Sequence, residues 1–342
     1  MSNPTIDIVI LNYNTIDVVK ECLPQVIENT RYPGAQVVFV DNNSTDGSAD
    51  WVETTYGEQI ELIKLKKNNG FAGGYNEALE NRTADYFVLL NSDATPKQKR
   101  WLKPLVDLLE GNPNIAAAQP KILSYRDHDK FEYAGAAGGF IDYLGFPFCK
   151  GRIFGDVELD KDQYNDSTPI FWASGAAMFV RRTCWEKAGG LDESFFAHME
   201  EIDLCWRLKN HGYEIYSCPE SVVHHIGGAT LSNQNPRKTF LNFRNGLLMM
   251  YKNLPDSIRE KRIFQRKLLD GLAGIKFFFE GQTKHTVQII RAHKEFKELK
   301  KNIKTSSNAP LLVEHSGVLP HSIVWGYFFR NKKTWSSWYK KK

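Results

Sequence analysis

The groups able to do chemistry are a few acids and histidines far apart in the chain. Asp41 closes "AQVVFVD" and Asp93 closes "YFVLLNSD"; Glu200, Glu201 and Asp203 crowd one turn of "HMEEIDLCWRL"; His224 and His225 end "PESVVHH". Isolated carboxylates suit hard cations such as Mg²⁺ and Mn²⁺, which need few protein oxygens when a diphosphate supplies the others. A carboxyl group beside a reacting hydroxyl can act as general base. Each residue also has an ordinary role. Asn91-Ser92-Asp93 before Thr95-Pro96 is turn chemistry, Asp41-Asn42-Asn43-Ser44 resembles a helix start, and acids in a first helical turn complement the helix dipole. For Asp203, with Arg207 four residues on, a stabilising pair is the expected role.

Bringing these groups together requires strands that end at one place. "IDIVILNYN", "AQVVFVDNNSTDGS" and "IELIKLKKNNG" are apolar runs separated by helical patterns, the first spanning Ile16 to Glu28. Such alternation predicts an α/β fold with parallel strands covered on both faces. Ligands of open sheets bind beyond the carboxyl ends of strands. Polar residues gather there: Asn12, Tyr13 and Asn14; Asp41; Asn68, Asn69 and Gly70; Asn91, Ser92 and Asp93. The glycine-rich "NNGFAGGYN" places Gly70, Gly73 and Gly74 at a strand-to-helix junction, with Asn76 projecting from the helix start. It matches neither the dinucleotide nor the Walker pattern. Direct ligand contact and tight packing of the helix on the sheet are equal expectations for it.

The chain of 342 residues is 42% hydrophobic and long enough for one large domain with an appendage. Residues 236–342 hold 23 Lys and Arg against 7 Asp and Glu, whereas residues 1–235 hold 21 against 33. Two parts are therefore expected: an acidic domain over 1–235 and a basic, helical region over 236–342. In the latter, Phe264, Leu268, Leu272, Ile275 and Phe279 recur at helical spacing, and a second basic helix is expected over Val287 to Ile303. The tail "SIVWGYFFRNKKTWSSWYKKK" interleaves aromatic and basic residues. It suits either contact with an anionic membrane surface or packing of its aromatics on the acidic domain. No nucleic-acid motif accompanies the charge. No apolar run reaches membrane-spanning length and no signal segment opens the chain, so the expectation is a cytoplasmic protein, free or peripheral on the cytoplasmic membrane face. Five cysteines without a Cys-x-x-Cys pair predict neither a disulfide framework nor a zinc site.

Seven stretches, "VILNYN", "VVFVDNNSTDGS", "NNGFAGGYNEAL", "FVLLNSDATP", "ASGAAMFVRR", "GGLDESFFAHMEEIDLCWRLKNHGY" and "VVHHIGG", stand in an order and spacing that resemble family 2 glycosyltransferases of the GT-A fold. The resemblance covers roughly residues 5 to 250 and is greatest to rhamnosyltransferase-type members. It implies a Rossmann-like, mostly parallel sheet flanked by helices, and metal-dependent, inverting transfer of one sugar from a nucleotide diphosphate donor. The first candidate donor is dTDP-rhamnose, then a UDP-sugar. The acceptor implied is a growing surface glycan on a polyprenyl diphosphate carrier.

Carried over by position, the resemblance makes Asp93 the ligand of Mg²⁺ or Mn²⁺, with His224 nearby and His225 pointing elsewhere. Asn91 replaces the first acid of the usual Asp-x-Asp motif, which lowers the expected metal affinity. Asp41 becomes the reader of the base. Asn12, Tyr13, Asn14, Asn69, Gly70, Gly74, Asn76, Asn91 and Ser92 become the donor pocket. Glu201 becomes the catalytic base, in a Glu200-Glu201 pair where the family has Glu-Asp. Trp172, Ser174, Gly175 and Glu200 become the acceptor side. Gln234-Asn235-Pro236-Arg237 is followed by Lys238, a departure from the Gln-x-x-Arg-Trp of processive synthases, and favours single addition. A sugar nucleotidyltransferase and a noncatalytic, membrane-associated glycan-binding protein are the alternatives.

Overall fold

The computed structural model describes residues 3–227 and 235–339. Gln234 and Lys340 to Lys342 lie outside the described residues. The strands in chain order are β1 (Ile6–Asn12), β2 (Ala35–Asp41), β3 (Glu61–Lys64), β4 (Tyr86–Asn91), β5 (Ala94–Pro96), β6 (Ile115–Ser124), β7 (Gly139–Asp142), β8 (Pro147–Cys149), β9 (Arg152–Ile153), β10 (Asp156–Val157), β11 (Pro169–Ile170), β12 (Ala177–Arg181), β13 (Glu214–His225) and β14 (Val318–Leu319). The α-helices are α1 (Ile16–Asn29), α2 (Ser48–Tyr56), α3 (Gly70–Leu79), α4 (Leu102–Gly111), α5 (Arg182–Ala188), α6 (Glu200–Asn210), α7 (Pro236–Asn253), α8 (Asp256–Phe279), α9 (Thr283–Leu299) and α10 (Ile323–Arg330).

The main sheet has the order β11-β13-β6-β12-β4-β1-β2-β3, with β5 on β13. From β3 to β4 the strands run parallel, as the apolar runs predict. β6 and β13 also pair parallel, so the sheet is mostly parallel, as expected. β12 enters antiparallel between β4 and β6, and β5 and β11 lie antiparallel on β13, so the sheet is mixed to that extent.

Both faces of the sheet are covered, which is why its central strands read as continuous apolar runs. On one face Ile6, Ile8 and Ile10 pack with Val19, Leu23 and Val26 of α1 and with Leu102, Leu105 and Leu109 of α4. On the other, Val9, Val38 and Val40 share a core with Tyr75 of α3, Trp206 of α6 and Leu247, Leu248 and Met250 of α7. Each such side chain contributes roughly 1.5–3 kcal/mol on burial. The Gly- and aromatic-rich segment after residue 135 forms short strands in a second sheet, β10-β9-β8-β7-β14.

The expected division after residue 235 does not separate two cores. α7 is buried among the catalytic helices, and its Lys252 and Asn253 both reach Asp203 of α6. Arg207 completes the set at 2.8 Å, so Asp203 is the structural anchor that its i,i+4 spacing predicts. α8 is fastened by Arg266, which donates to the carbonyls of Leu144 and Gly145 and to Asp270.

Candidate active site

The register of β1, β2 and β4 sets Asn12 opposite Asp41 and Leu11 opposite Asn91, so three strand ends lie side by side. Asp41 is buried; its Oδ2 accepts from the Ser44 amide at 3.0 Å, while Oδ1 has no hydrogen-bond partner among the described residues. Ser44 does not start a helix, which begins at Ser48. Asn12 is consumed by the fold. Its amide donates to Ser44 and Ser48 and its carbonyl oxygen accepts from Thr15. It braces the pocket wall rather than presenting a free group. Asn14, in the left-handed region at φ 51°, holds the Thr45 amide, and Tyr13 is 37% exposed at the rim. Ser92 shares a 3.2 Å contact with Thr15.

For the glycine-rich loop, packing governs what the structure displays. Gly70 has φ 71°, and a Cβ there would meet the Phe196 carbonyl and ring. A Cβ at Gly74 would meet Leu11 and the Asn42 amide. Asn42 itself clasps the junction: it donates to Asn68 and Gly70 and accepts from the Asn69 amide, while the Asn69 side chain turns to Glu77. Asn76 faces away from the strand ends, exchanging hydrogen bonds with the Leu191 backbone.

At the end of β4, Asp93 is 5% exposed. His225 Nε2 lies 2.9 Å from its Oδ1, and the Gly227 amide donates to Oδ2 at 3.2 Å. The Asn91 amide is 3.3 Å from the same Nε2. On its far side, His225 Nδ1 stands 3.1 Å from Glu132, an ion-pair distance without in-line hydrogen-bond geometry. Burial opposes the charge of His225, but Asp93 and then Glu132 outweigh it and raise its pKa to about 10. Burial likewise opposes the charge of Asp93, yet the imidazolium holds its pKa below the usual carboxylate value.

The histidine expectation is thus reversed. His224 points away and packs on His128 with ring centroids 4.5 Å apart, and its pKa falls to about 4 through burial, then His128 and Lys97. The cause is a bulge: between Cys218 and Val222, β13 holds three residues more than β6, and an odd number of extra residues exchanges the two faces.

α6 opens on Glu200 and Glu201, and each keeps a buried Oε2 without a hydrogen-bond partner among the described residues. Burial pushes Glu200 well above the usual range, reinforced by Glu201 and then Asp203. Burial also raises Glu201 to about 7, against the downward pull of backbone amides including that of Gly175. The preceding segment is strained. Phe196, His198 and Met199 have φ of 64°, 69° and 74°, uncommon for residues with side chains. It is held by α7. The Asn245 amide donates to the carbonyls of Phe195, Ala197 and His198, and Arg244 donates to those of Ser194 and Phe195. Asn245 is fully buried, so Asn245→Ala removes all three bonds and releases the strain beside Glu201. We expect kcat to fall about ten- to a hundredfold with little change in KM, checked by steady-state kinetics.

Trp172, expected as an acceptor platform, is core: its Nε1 donates to the Phe140 carbonyl, and a Cβ at Gly139 would collide with its ring. Ser174 is buried and donates to Ala134 at 2.5 Å. Gly175 differs, lying between the Phe71 ring and the Glu201 Cβ, so it bounds the site.

With strand ends, acid pair and the buried Asp93–His225 ion pair in place, residues 7–179 match the family model described as Glycosyl transferase family 2. The chain belongs to that family. The transferase is 27% identical over 217 residues to the N-acetylglucosaminyl-diphospho-decaprenol L-rhamnosyltransferase of Mycobacterium tuberculosis, covering 57% of this chain and 67% of that protein. It is 23% identical over 293 residues to the low-salt glycan biosynthesis hexosyltransferase Agl10 of Haloferax volcanii, covering 83% and 88%. Among solved structures, it superposes on a mannosyltransferase of Pyrobaculum calidifontis in complex with GDP-Man and Mn²⁺ with a TM-score of 0.52 at 16% identity, over 86% of this chain and 88% of that one. GalNAc-T7 with UDP, GalNAc and Mn²⁺ gives 0.52 at 14%, over 65% and 43%. The fold is GT-A, and the protein is a glycosyltransferase.

Several residues that shape the transferase's site escape a reading of motifs. Glu132 lies in a segment without pattern. Arg244 and Asn245 sit inside "LNFRNGLLMM", where two adjacent polar residues on an otherwise buried helix are the signal that would have found them. Among the described residues, no group of three or more His, Cys, Asp and Glu side chains is arranged to hold a metal ion by itself.

Proposed function

We propose that the enzyme transfers one sugar, with inversion, from a nucleoside diphosphate donor to a hydroxyl of a growing surface glycan. dTDP-rhamnose is the first candidate donor and a UDP-sugar the second. The observation that carries the reading is Glu201, a carboxyl beside Gly175 with an unpartnered buried oxygen among the described residues and a pKa raised to about 7 by burial. The acceptor oxygen bonds to the anomeric carbon as its proton passes to Glu201, and the bonding pair of the anomeric C–O bond leaves with the diphosphate. Glu200, buried with its pKa raised by burial and by Glu201, stands on the acceptor side.

Asp93 fits a divalent ion whose other ligands are diphosphate oxygens, because its buried charge faces one imidazolium and backbone amides, which leaves it suited to a cation that a diphosphate also holds. Mg²⁺ or Mn²⁺ held there would offset charge gathering on the leaving group. His225, not His224, is the histidine placed to help. The rhamnosyltransferase relative, named for a diphospho-decaprenol substrate, supports a lipid-linked acceptor at the cytoplasmic membrane face.

Asp41 Oδ1 is the free acceptor for N3–H of thymine or uracil. Asp41→Ala should raise KM about ten- to a hundredfold for dTDP- and UDP-sugars and leave kcat within a few-fold. Transfer assays with a panel of nucleotide sugars test this. Equal use of GDP-sugars by the wild type would overturn the base assignment, and no transfer from any donor would overturn the reading itself.

A further inference from the structure

α8 presents to solvent a face that a buried helix would have covered. Phe264, Leu268, Leu272 and Ile275 are 55–63% exposed and Phe279 is 83% exposed. They recur at spacings of three and four, so they form one stripe, and between Phe264 and Ile275 no charged residue interrupts it. The opposite face of α8 is already engaged, with Ile263, Arg266 and Asp270 buried. The neighbouring α9 adds Val287 and Ile290, which are 52% and 66% exposed. Contiguous apolar exposure on this scale marks an interaction surface.

We propose that this face of the α8–α9 hairpin docks on an anionic lipid bilayer, lying in its interface with the helix axes along the membrane plane. Three observations select that occupant. The region carries 23 Lys and Arg against 7 Asp and Glu, and Lys261, Lys276, Lys284 and Arg291 are exposed beside the apolar residues. Apolar stripe and cationic flanks are what an interfacial helix offers to anionic headgroups. A second copy of the chain would bring two such basic regions together, and their repulsion opposes self-pairing. No helix among the described residues is long and apolar enough to cross a membrane, so the contact is one of lying on the surface.

The C-terminal tail divides between its two expected roles. Trp335 packs on Phe140 and stacks on Tyr339, covering the catalytic domain. Trp325, Phe328 and Phe329 of α10 remain more than half exposed. α10 and α8 are fastened to the same turn, through Asp142 to the Ile323 amide and through Arg266 to Leu144 and Gly145. α10 is therefore a second point of contact beside the hairpin. The surface needs no particular donor or acceptor and is independent of the transfer reaction.

Flotation of the full chain with vesicles of phosphatidylcholine containing about 30 mol % phosphatidylglycerol tests the surface. The wild type should float, and Leu268→Glu/Leu272→Glu should lose at least about tenfold in bound fraction. Lys261→Glu/Lys284→Glu, which leaves the apolar stripe intact, should lose binding to the anionic vesicles and show little difference on phosphatidylcholine alone. An unchanged thermal midpoint and unchanged nucleotide binding establish that the variants are folded. A wild type that stays unbound, or a Leu268→Glu/Leu272→Glu variant that floats equally well, overturns the proposal. So does a wild type that is dimeric by light scattering, does not float, and becomes monomeric in the double variant; that face would then be a self-association surface.

Discussion

Glu201→Gln should lower kcat by about a thousand- to ten-thousandfold while KM for the donor stays within a few-fold. The amide keeps the volume and one acceptor oxygen of the side chain but cannot take a proton, so loss falls on the transition state. The wild-type profile should show the same group. Because Glu201 titrates at about 7, kcat should rise about tenfold per pH unit below that value and level off above it. Stability should respond in the opposite sense. The folded pKa lies above the ordinary 4.5, so the folded state holds this proton more tightly than the unfolded chain does. That contribution is complete below about pH 4.5 and is lost as pH rises through 7. Glu201→Gln should accordingly be more stable than the wild type at pH 8, by roughly 1–3 kcal/mol, and the difference should vanish near pH 4. Denaturant unfolding at the two pH values checks this. A variant that loses activity only through KM would remove Glu201 from the role of base.

Asp93→Asn should also cost about a thousandfold in kcat/KM, for a different reason. The change removes the carboxylate proposed to hold the cation, and it strands a buried imidazolium. With Asp93 neutral, His225 retains only Glu132 at 3.1 Å as a charged partner, and breaking a buried pair typically costs 3–5 kcal/mol. Activity loss alone would therefore not separate chemistry from folding. Asp93→Asn/His225→Gln does separate them, because neutralising both partners restores much of the stability and none of the transfer. Recovery of activity with stability would mean that Asp93 serves only to anchor β13.

Most of the fold and part of the site are legible in the sequence, and the boundary between them is physical. Strand ends at Asn12, Asp41 and Asn91 follow from apolar runs that stop on polar residues, since burial on both faces leaves little ambiguity about where a strand lies. The antiparallel entry of β12 does not follow, because "AAMFVRR" carries the same apolar signal in either direction. Residue roles fare less evenly. Asp203 with Arg207 is a local pair, readable from spacing alone. His224 and His225 exchange places because Pro219 to Ser221, at the start of "PESVVHH", fall out of register and reset the alternation; the proline marks an irregularity but not its length. Trp172 and Asn76 look like ligand-facing groups until the segments that bury them, around Gly139 and Leu191, are in place. Those contacts span 32 and 115 residues, beyond the reach of any local pattern. The part played by α7 is hidden for the same reason: a basic C-terminal region looks separable until Asn245 is found holding the loop that aims Glu201.

The measurement that bears most directly on the proposed reaction is calorimetric titration of dTDP and UDP into the wild type and Asp93→Ala, each with and without Mn²⁺. The account predicts binding that strengthens with Mn²⁺ in the wild type, a preference for these pyrimidine diphosphates over GDP, and loss of the Mn²⁺ effect in the variant. Nucleotide binding that is equally tight in Asp93→Ala, or absent throughout, would contradict it.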